Sequence, residues 1–134
     1  MSIFTNGDFK IMDRVAGRAS LSVMPNGVGF SKQTISRLGY PHFVQIYISH
    51  KEKVVGIKAC DKEDYSSIKF VPENQQRVDS IRWNNAEFLK DFKSLINDEM
   101  FLKFGFKVDG EYILDENAFL FDFKKAYLAK RLSN

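Results

Sequence analysis

Cysteine is almost missing from this chain. Cys60 is the only one in 134 residues, so no internal disulfide can form and a reducing compartment is expected. Histidine is scarce too: His42 and His50 lie in unlike contexts, and neither stands with Cys60 at a metal-ligand spacing. No apolar run is long enough for a membrane span, and the start MSIFTNGDFK has neither the basic nor the apolar region of a signal peptide. The expected setting is the cytoplasm of a bacterium or of an infected host cell. Gly17, Gly27, Gly29 and Gly39 match no phosphate-loop spacing, and no nucleophile elbow is present. Asp61, Glu63 and Asp64 read as a solvated loop, and Cys60 as a small packed residue at a strand end. These absences leave no catalytic constellation. A binding module without metal or cofactor is expected, not an enzyme.

Aromatic residues, by contrast, are abundant, with 13 Phe, 5 Tyr and 1 Trp, and apolar residues make up 44% of the chain. That suffices for the core of one domain of this length, 1–134. Net charge is only +3, but it is unevenly spread. Residues 1–62 carry nine Lys/Arg against four Asp/Glu, and residues 63–134 eleven against thirteen. A one-sided basic field is the footprint of a polyanion partner. The nucleic-acid-binding candidates in this basic half are Arg14, Arg18, Lys32, Arg37, Lys51 and Lys53. A solvated surface with chance asymmetry is the bland alternative.

Periodicity gives an α+β, β-rich domain with two helices. Phe9–Val15 and Ala19–Met24 read as strands, the second alternating Ala19, Leu21 and Val23 with Ser20 and Ser22. Pro25-Asn26-Gly27 is a turn and Val28–Phe30 a short strand. Ser31 caps a helix stapled by Phe30 and Ile35, which Gly39 and Pro41 end. Val44, Ile46 and Ile48 then face Val55, Ile57 and Ala59 across the turn His50–Lys53. Tyr65–Val71 reads as a strand, Pro72–Gln76 as a linker and Ile81–Trp83 as a strand end. Asn84 is expected to cap a helix over Asn85–Asn97, with Phe88, Phe92, Leu95 and Ile96 buried on one stripe. Strands over Phe101–Val108 and Ala118–Phe123 close the domain, and the tail 124–134 is a short helix or disordered. Phe104, Phe106, Phe119, Phe121 and Phe123 suit a core, or else a platform for stacking single-stranded bases. Tyr40, Tyr47 and Trp83, interleaved with Arg37, Arg82 and Lys53, are further stacking candidates.

Gly27–Ile35 (GVGFSKQTI) lies 53 positions before Ser80–Phe88 (SIRWNNAEF). At that offset Val28 matches Ile81, Phe30 matches Trp83 and the cap Ser31 matches Asn84. Two β-β-α-β-β units are therefore expected, over about 9–62 and 65–123, forming an internal pseudo-repeat. Gly27–Lys58, with Leu38-Gly39 ending its helix before an alternating hairpin, resembles the AbrB/SpoVT swapped-hairpin family of bacterial DNA-binding domains. The match covers about a quarter of the chain. Ser31 stands where that family commonly has Pro, and Pro41-His42 where it has Gly-Asp. The resemblance implies a basic strand-loop face on DNA, with Arg14, Arg18, Lys32 and Arg37 at matching places. In overall style the second half resembles small proteins of bacteriophages and mobile elements. The leading expectation is a nucleic-acid-binding regulator, DNA favoured, as monomer or homodimer. The alternative is a protein-interaction factor, such as a phage-encoded inhibitor of a host protein.

Overall fold

The computed structural model describes residues 18–129. The strand expected at Phe9–Val15 and the candidate Arg14 lie outside them. Nine strands form one curled antiparallel sheet in the order β5-β3-β4-β8-β7-β1-β2-β6, with β9 on the free flank of β7. These are β1 Ser20–Met24, β2 Gly27–Phe30, β3 Phe43–Ser49, β4 Val54–Cys60, β5 Ile68–Lys69, β6 Ile81–Trp83, β7 Phe106–Ile113, β8 Ala118–Asp122 and β9 Tyr127–Leu128. Helices α1 Lys32–Leu38, α2 Ala86–Lys93 and α3 Glu99–Phe104 complete a β-rich single domain. Among the described residues, no helix is long and apolar enough to cross a membrane.

Strand alternation sends one set of side chains into the sheet's concavity. Leu21, Val23, Val28, Phe30, Val44, Val55, Ile57, Phe106, Val108, Phe119 and Phe121 are all buried there. Phe123 stands 6.0 Å from Phe92 of α2 and 5.7 Å from Phe106, edge to face, tying helix to sheet. Burying such a ring contributes roughly 1.5–3 kcal/mol of transfer free energy. Four of the five phenylalanines expected on one face are therefore core and offer no surface to a base. The fifth, Phe104, is 42% exposed, because it belongs to α3 and not to a strand.

Helix α1 has the expected boundaries. Ser31 Oγ accepts from the Thr34 N–H, and Gly39 ends the helix with φ 86°. Helix α2 starts one residue later than expected. Asn85, not Asn84, is its cap, with its side-chain oxygen taking the Glu87 N–H at 2.8 Å. The Asn84 oxygen instead accepts from Arg82 Nε. The helix also stops at Lys93, so Leu95 and Ile96 sit on the turn after it. Phe92 and Leu95 are buried as expected, whereas Phe88 and Ile96 are half-buried.

The strand expected over Phe101–Val108 is split. Asp98 accepts from the N–H groups of Met100 and Phe101 and starts α3. Gly105, at φ 91°, then breaks it, and β7 begins at Phe106. A Cβ at Gly105 would lie 2.6 Å from Met24 Sδ, so this left-handed residue must be glycine. As far as Ala129 the tail runs through a 3-10 helix, Phe123–Lys125, into β9. Tyr65–Val71 contributes only Ile68–Lys69 as strand, although Phe70 and Val71 still donate to the carbonyls of His42 and Pro41.

Candidate nucleic-acid interface

The outward side chains of β7, β1, β2 and β6 fall into register. Lys107 pairs with Ser22, Ser22 with Gly29, and Gly29 with Arg82. The inward neighbours at each position are buried or half-buried apolar residues: Phe106 and Val108, Leu21 and Val23, Val28 and Phe30, Ile81 and Trp83. Alternation therefore forces Lys107, Ser22 and Arg82 outward. Three interstrand steps of about 4.8 Å put the Lys107 and Arg82 backbones about 14 Å apart. Between them lies a trough of about 270 Å³ with Ser20, Ser22, Ser31 and Ser80 among its lining residues. Its floor is low because Gly29 has no side chain; a Cβ there would lie 2.8 Å from Ser22 Oγ.

Arg82 is held by neutral amide oxygens, of Asn84 through Nε and of Asn26 through a terminal nitrogen. Among the described residues, neither Arg82 nor Lys107 has a carboxylate within salt-bridge distance. The Ser22 and Ser31 hydroxyls already donate to the carbonyls of Gly29 and Arg18, so what the trough offers a phosphate is chiefly the charge of the two cations and, over its shallow floor, access for the phosphate oxygens.

The sequence-derived candidates divide. Arg18 and Lys32 stand at the rim of the trough. The backbone carbonyl of Arg18 accepts from Ser31 Oγ, and Lys32 follows Ser31 directly. Each already has an acidic partner: Arg18 with Asp109 at 3.1 Å, Lys32 with Asp79 at 3.9 Å. Arg37 lies away from the trough, 4.6 Å over the ring of Tyr112. Lys51 and Lys53 belong to the β3–β4 turn, where the Lys53 carbonyl accepts the Phe123 N–H and Lys124 donates to the Glu52 carbonyl. Arg82 and Lys107 were missed as a pair. The signal for each was a lone cation between apolar residues, Ile81-Arg82-Trp83 and Phe106-Lys107-Val108, but only the strand register brings them together.

The charge split along the chain is not a split in space at its ion pairs. Arg18–Asp109, Lys32–Asp79 and Lys58–Glu116 each join a first-half cation to a second-half acid. Being exposed, each contributes about 0–1 kcal/mol. Asp109 also takes the Tyr127 hydroxyl at 2.7 Å. Burial and then this bond to Asp109 hold the Tyr127 phenol above its ordinary range.

The stacking candidates Trp83 and Tyr40 are engaged within the fold. Trp83 packs on Phe30 at 4.8 Å and Phe88 at 5.2 Å, and Tyr40 lies under Arg77. Tyr47 remains 54% exposed. Burial pushes the Cys60 thiol up, and Asp64 and Asp61 push it further, so it stays protonated and is a poor nucleophile. Among the described residues no three His, Cys, Asp or Glu side chains gather as a metal site. No protein-family model, no curated protein and no solved structure matches this chain.

Proposed function

We propose that this chain binds nucleic acid, DNA in the first place, by laying a phosphate backbone in the serine–glycine trough between Lys107 and Arg82. The observation that carries this reading is the outward row Lys107–Ser22–Gly29–Arg82, whose two cations have no carboxylate within salt-bridge distance among the described residues. Arg18 and Lys32 extend the field at the rim and exchange their acidic partners for phosphates on binding. The protein acts by occupying its target, as a regulator does, with no chemical step.

The same reading takes the chain as two interleaved units, the first of which carries the AbrB-like resemblance. The strand order supports it. Exchanging β1, β2, β3 and β4 for β5, β6, β7 and β8 turns β5-β3-β4-β8-β7-β1 into the same order read backwards. The β2–β6 register supports it too. Val28 pairs with Trp83 and Phe30 with Ile81, so sequence counterparts occupy reciprocal places about Gly29 and Arg82. Helix α3 is then an insertion in the second unit, between its helix and its hairpin. The trough lies across the resulting pseudo-two-fold.

Binding of labelled duplex DNA, followed by fluorescence anisotropy over a range of salt, tests the proposal. Each phosphate contact contributes about −0.9 to the log–log slope. Arg82→Ala and Lys107→Ala should each flatten the slope by about one. Arg37→Ala, Lys51→Ala and Lys53→Ala should leave it nearly unchanged. A wild-type slope near zero, or equal sensitivity to both groups of substitutions, would overturn the proposal.

A further inference from the structure

A second face of the same sheet presents the opposite chemistry. On β3, β4, β8 and β7 the register sets Tyr47 beside Gly56, Gly56 beside Leu120 and Leu120 beside Glu111. All four lie on the outer side, because Val55, Ile57, Phe119 and Phe121 fill the inner one. Tyr47 is 54% and Leu120 41% exposed. Between them Gly56 leaves a hollow of about 250 Å³, bounded at one end by Lys58 and Glu116. The fold does not require that hollow: a Cβ at Gly56 would make ordinary contacts, 3.4 Å to Leu120 Cδ2 and 3.5 Å to Tyr47 Cβ.

We infer that this face is where a second copy of the chain docks. The arrangement is self-complementary. A two-fold axis parallel to the sheet and midway between the two copies, running along the strands over the β4–β8 seam, exchanges the β4 and β8 sides. It sets Leu120 of each copy over Gly56 of the other, a knob over a hollow. It also sets the Tyr47 hydroxyl opposite the partner's Glu111. Lys58 lies on the β4 side and Glu116 on the β8 side, 4.0 Å apart within one copy, so the same axis sets this pair against the partner's with the charges reversed, closing a four-charge rim. Such an isologous contact closes on itself as a dimer, with sheets stacked about 10 Å apart. The polar trough on β7-β1-β2-β6 is built on other strand positions and does not depend on this contact.

Sedimentation velocity of the full chain, from low micromolar to near-millimolar concentration, tests the inference. A monomer–dimer equilibrium is expected, with a Kd in the accessible range. Leu120→Glu should weaken it at least about tenfold, by placing a charge against the partner's apolar hollow. Gly56→Ala should weaken it by filling the hollow, with an unchanged circular dichroism spectrum and melting temperature. It decides the matter should Leu120→Glu fail to fold. Arg82→Ala and Lys107→Ala should leave the equilibrium alone. A chain that stays monomeric throughout would overturn the inference. So would a dimer that survives both face substitutions, or one broken only by the trough substitutions.

Discussion

Two regions of one sheet carry opposite surfaces. Across β7-β1-β2-β6 the outward row is Lys107, Ser22, Gly29 and Arg82; across β3-β4-β8-β7 it is Tyr47, Gly56, Leu120 and Glu111. Both rows use the same alternation over the same core, and both have a glycine at the middle. Their glycines differ. Gly29 is crowded by the Ser22 hydroxyl, at 2.8 Å from where a Cβ would be, whereas Gly56 has room for a methyl group. The first is fitted to its neighbours within the chain, while the second keeps a hollow that the described residues do not fill. Inward residues on such a sheet answer to folding, and outward ones to whatever meets them.

The largest effect should come from the core the two faces share. Phe92 is 1% exposed, and Phe92→Ala should cost about 3–5 kcal/mol in guanidinium unfolding. A loss under about 1 kcal/mol would mean that the ring is not clamped between α2 and the sheet, and the common inner layer would fall with it. Next is the joint between the faces. Strand β7 pairs with β1 over Phe106–Asp109 and with β8 from Gly110 onward. A Cβ at Gly110 would lie 2.6 Å from Phe121 Cε1 and 2.8 Å from Phe119 Cδ1, both rings buried. Gly110→Ala should therefore destabilise by about 1–3 kcal/mol, seen as a lowered denaturation midpoint at an unchanged slope.

A smaller change separates the faces themselves. Ser22→Glu puts a carboxylate between Lys107 and Arg82 and should weaken DNA binding about tenfold, or roughly 1.4 kcal/mol. Leu120→Glu should leave DNA affinity within about twofold, since Leu120 lies on β8, which contributes no residue to the trough. Reversed sensitivities in an anisotropy titration would exchange the roles of the two surfaces. The smallest effect is at high pH. The Tyr127 phenol is raised, so its bond to Asp109 contributes stability fully below the ordinary tyrosine value, about 10. That contribution is lost as pH climbs through the higher folded value. Spectrophotometric titration should show one phenol ionising late, and Tyr127→Phe should remove that phase.

Where local chemistry decided the structure, the sequence was readable. Ser31, Thr34 and Gly39 fix α1 within nine residues, and the β3–β4 hairpin follows from its alternation and its short turn. Two kinds of feature were hidden. Helix α3 was masked by Phe101, Phe104 and Phe106, whose spacing suits a strand as well as a helix; the Asp98 cap and the left-handed Gly105 settle it. Asn84 was read as the α2 cap, but Arg82 engages its oxygen and the next residue, Asn85, caps the helix instead. The trough was hidden for a different reason. Its residues come from β1 and β2 early in the chain, β6 in the middle and β7 late, and no window of sequence contains their register. The same long-range pairing sets second-half acids beside three first-half cations, Arg18, Lys32 and Lys58, which a count along the chain does not show.

The interleaving of strands has a consequence for a chain that is cut. Exposed residues from Pro72 to Gln76 join β5 to β6, and Gln75 N–H to Pro72 carbonyl is a purely local bond. A protease nicking there severs the connection but none of the three seams, β1–β7, β2–β6 and β4–β8, that hold the pieces edge to edge. The two fragments would migrate as separate bands once denatured and as one particle before that. Neither could be washed from the other without exposing Phe106, Phe119 and Phe121 to water. In this fold the halves are joined by three strand seams as well as by the covalent thread.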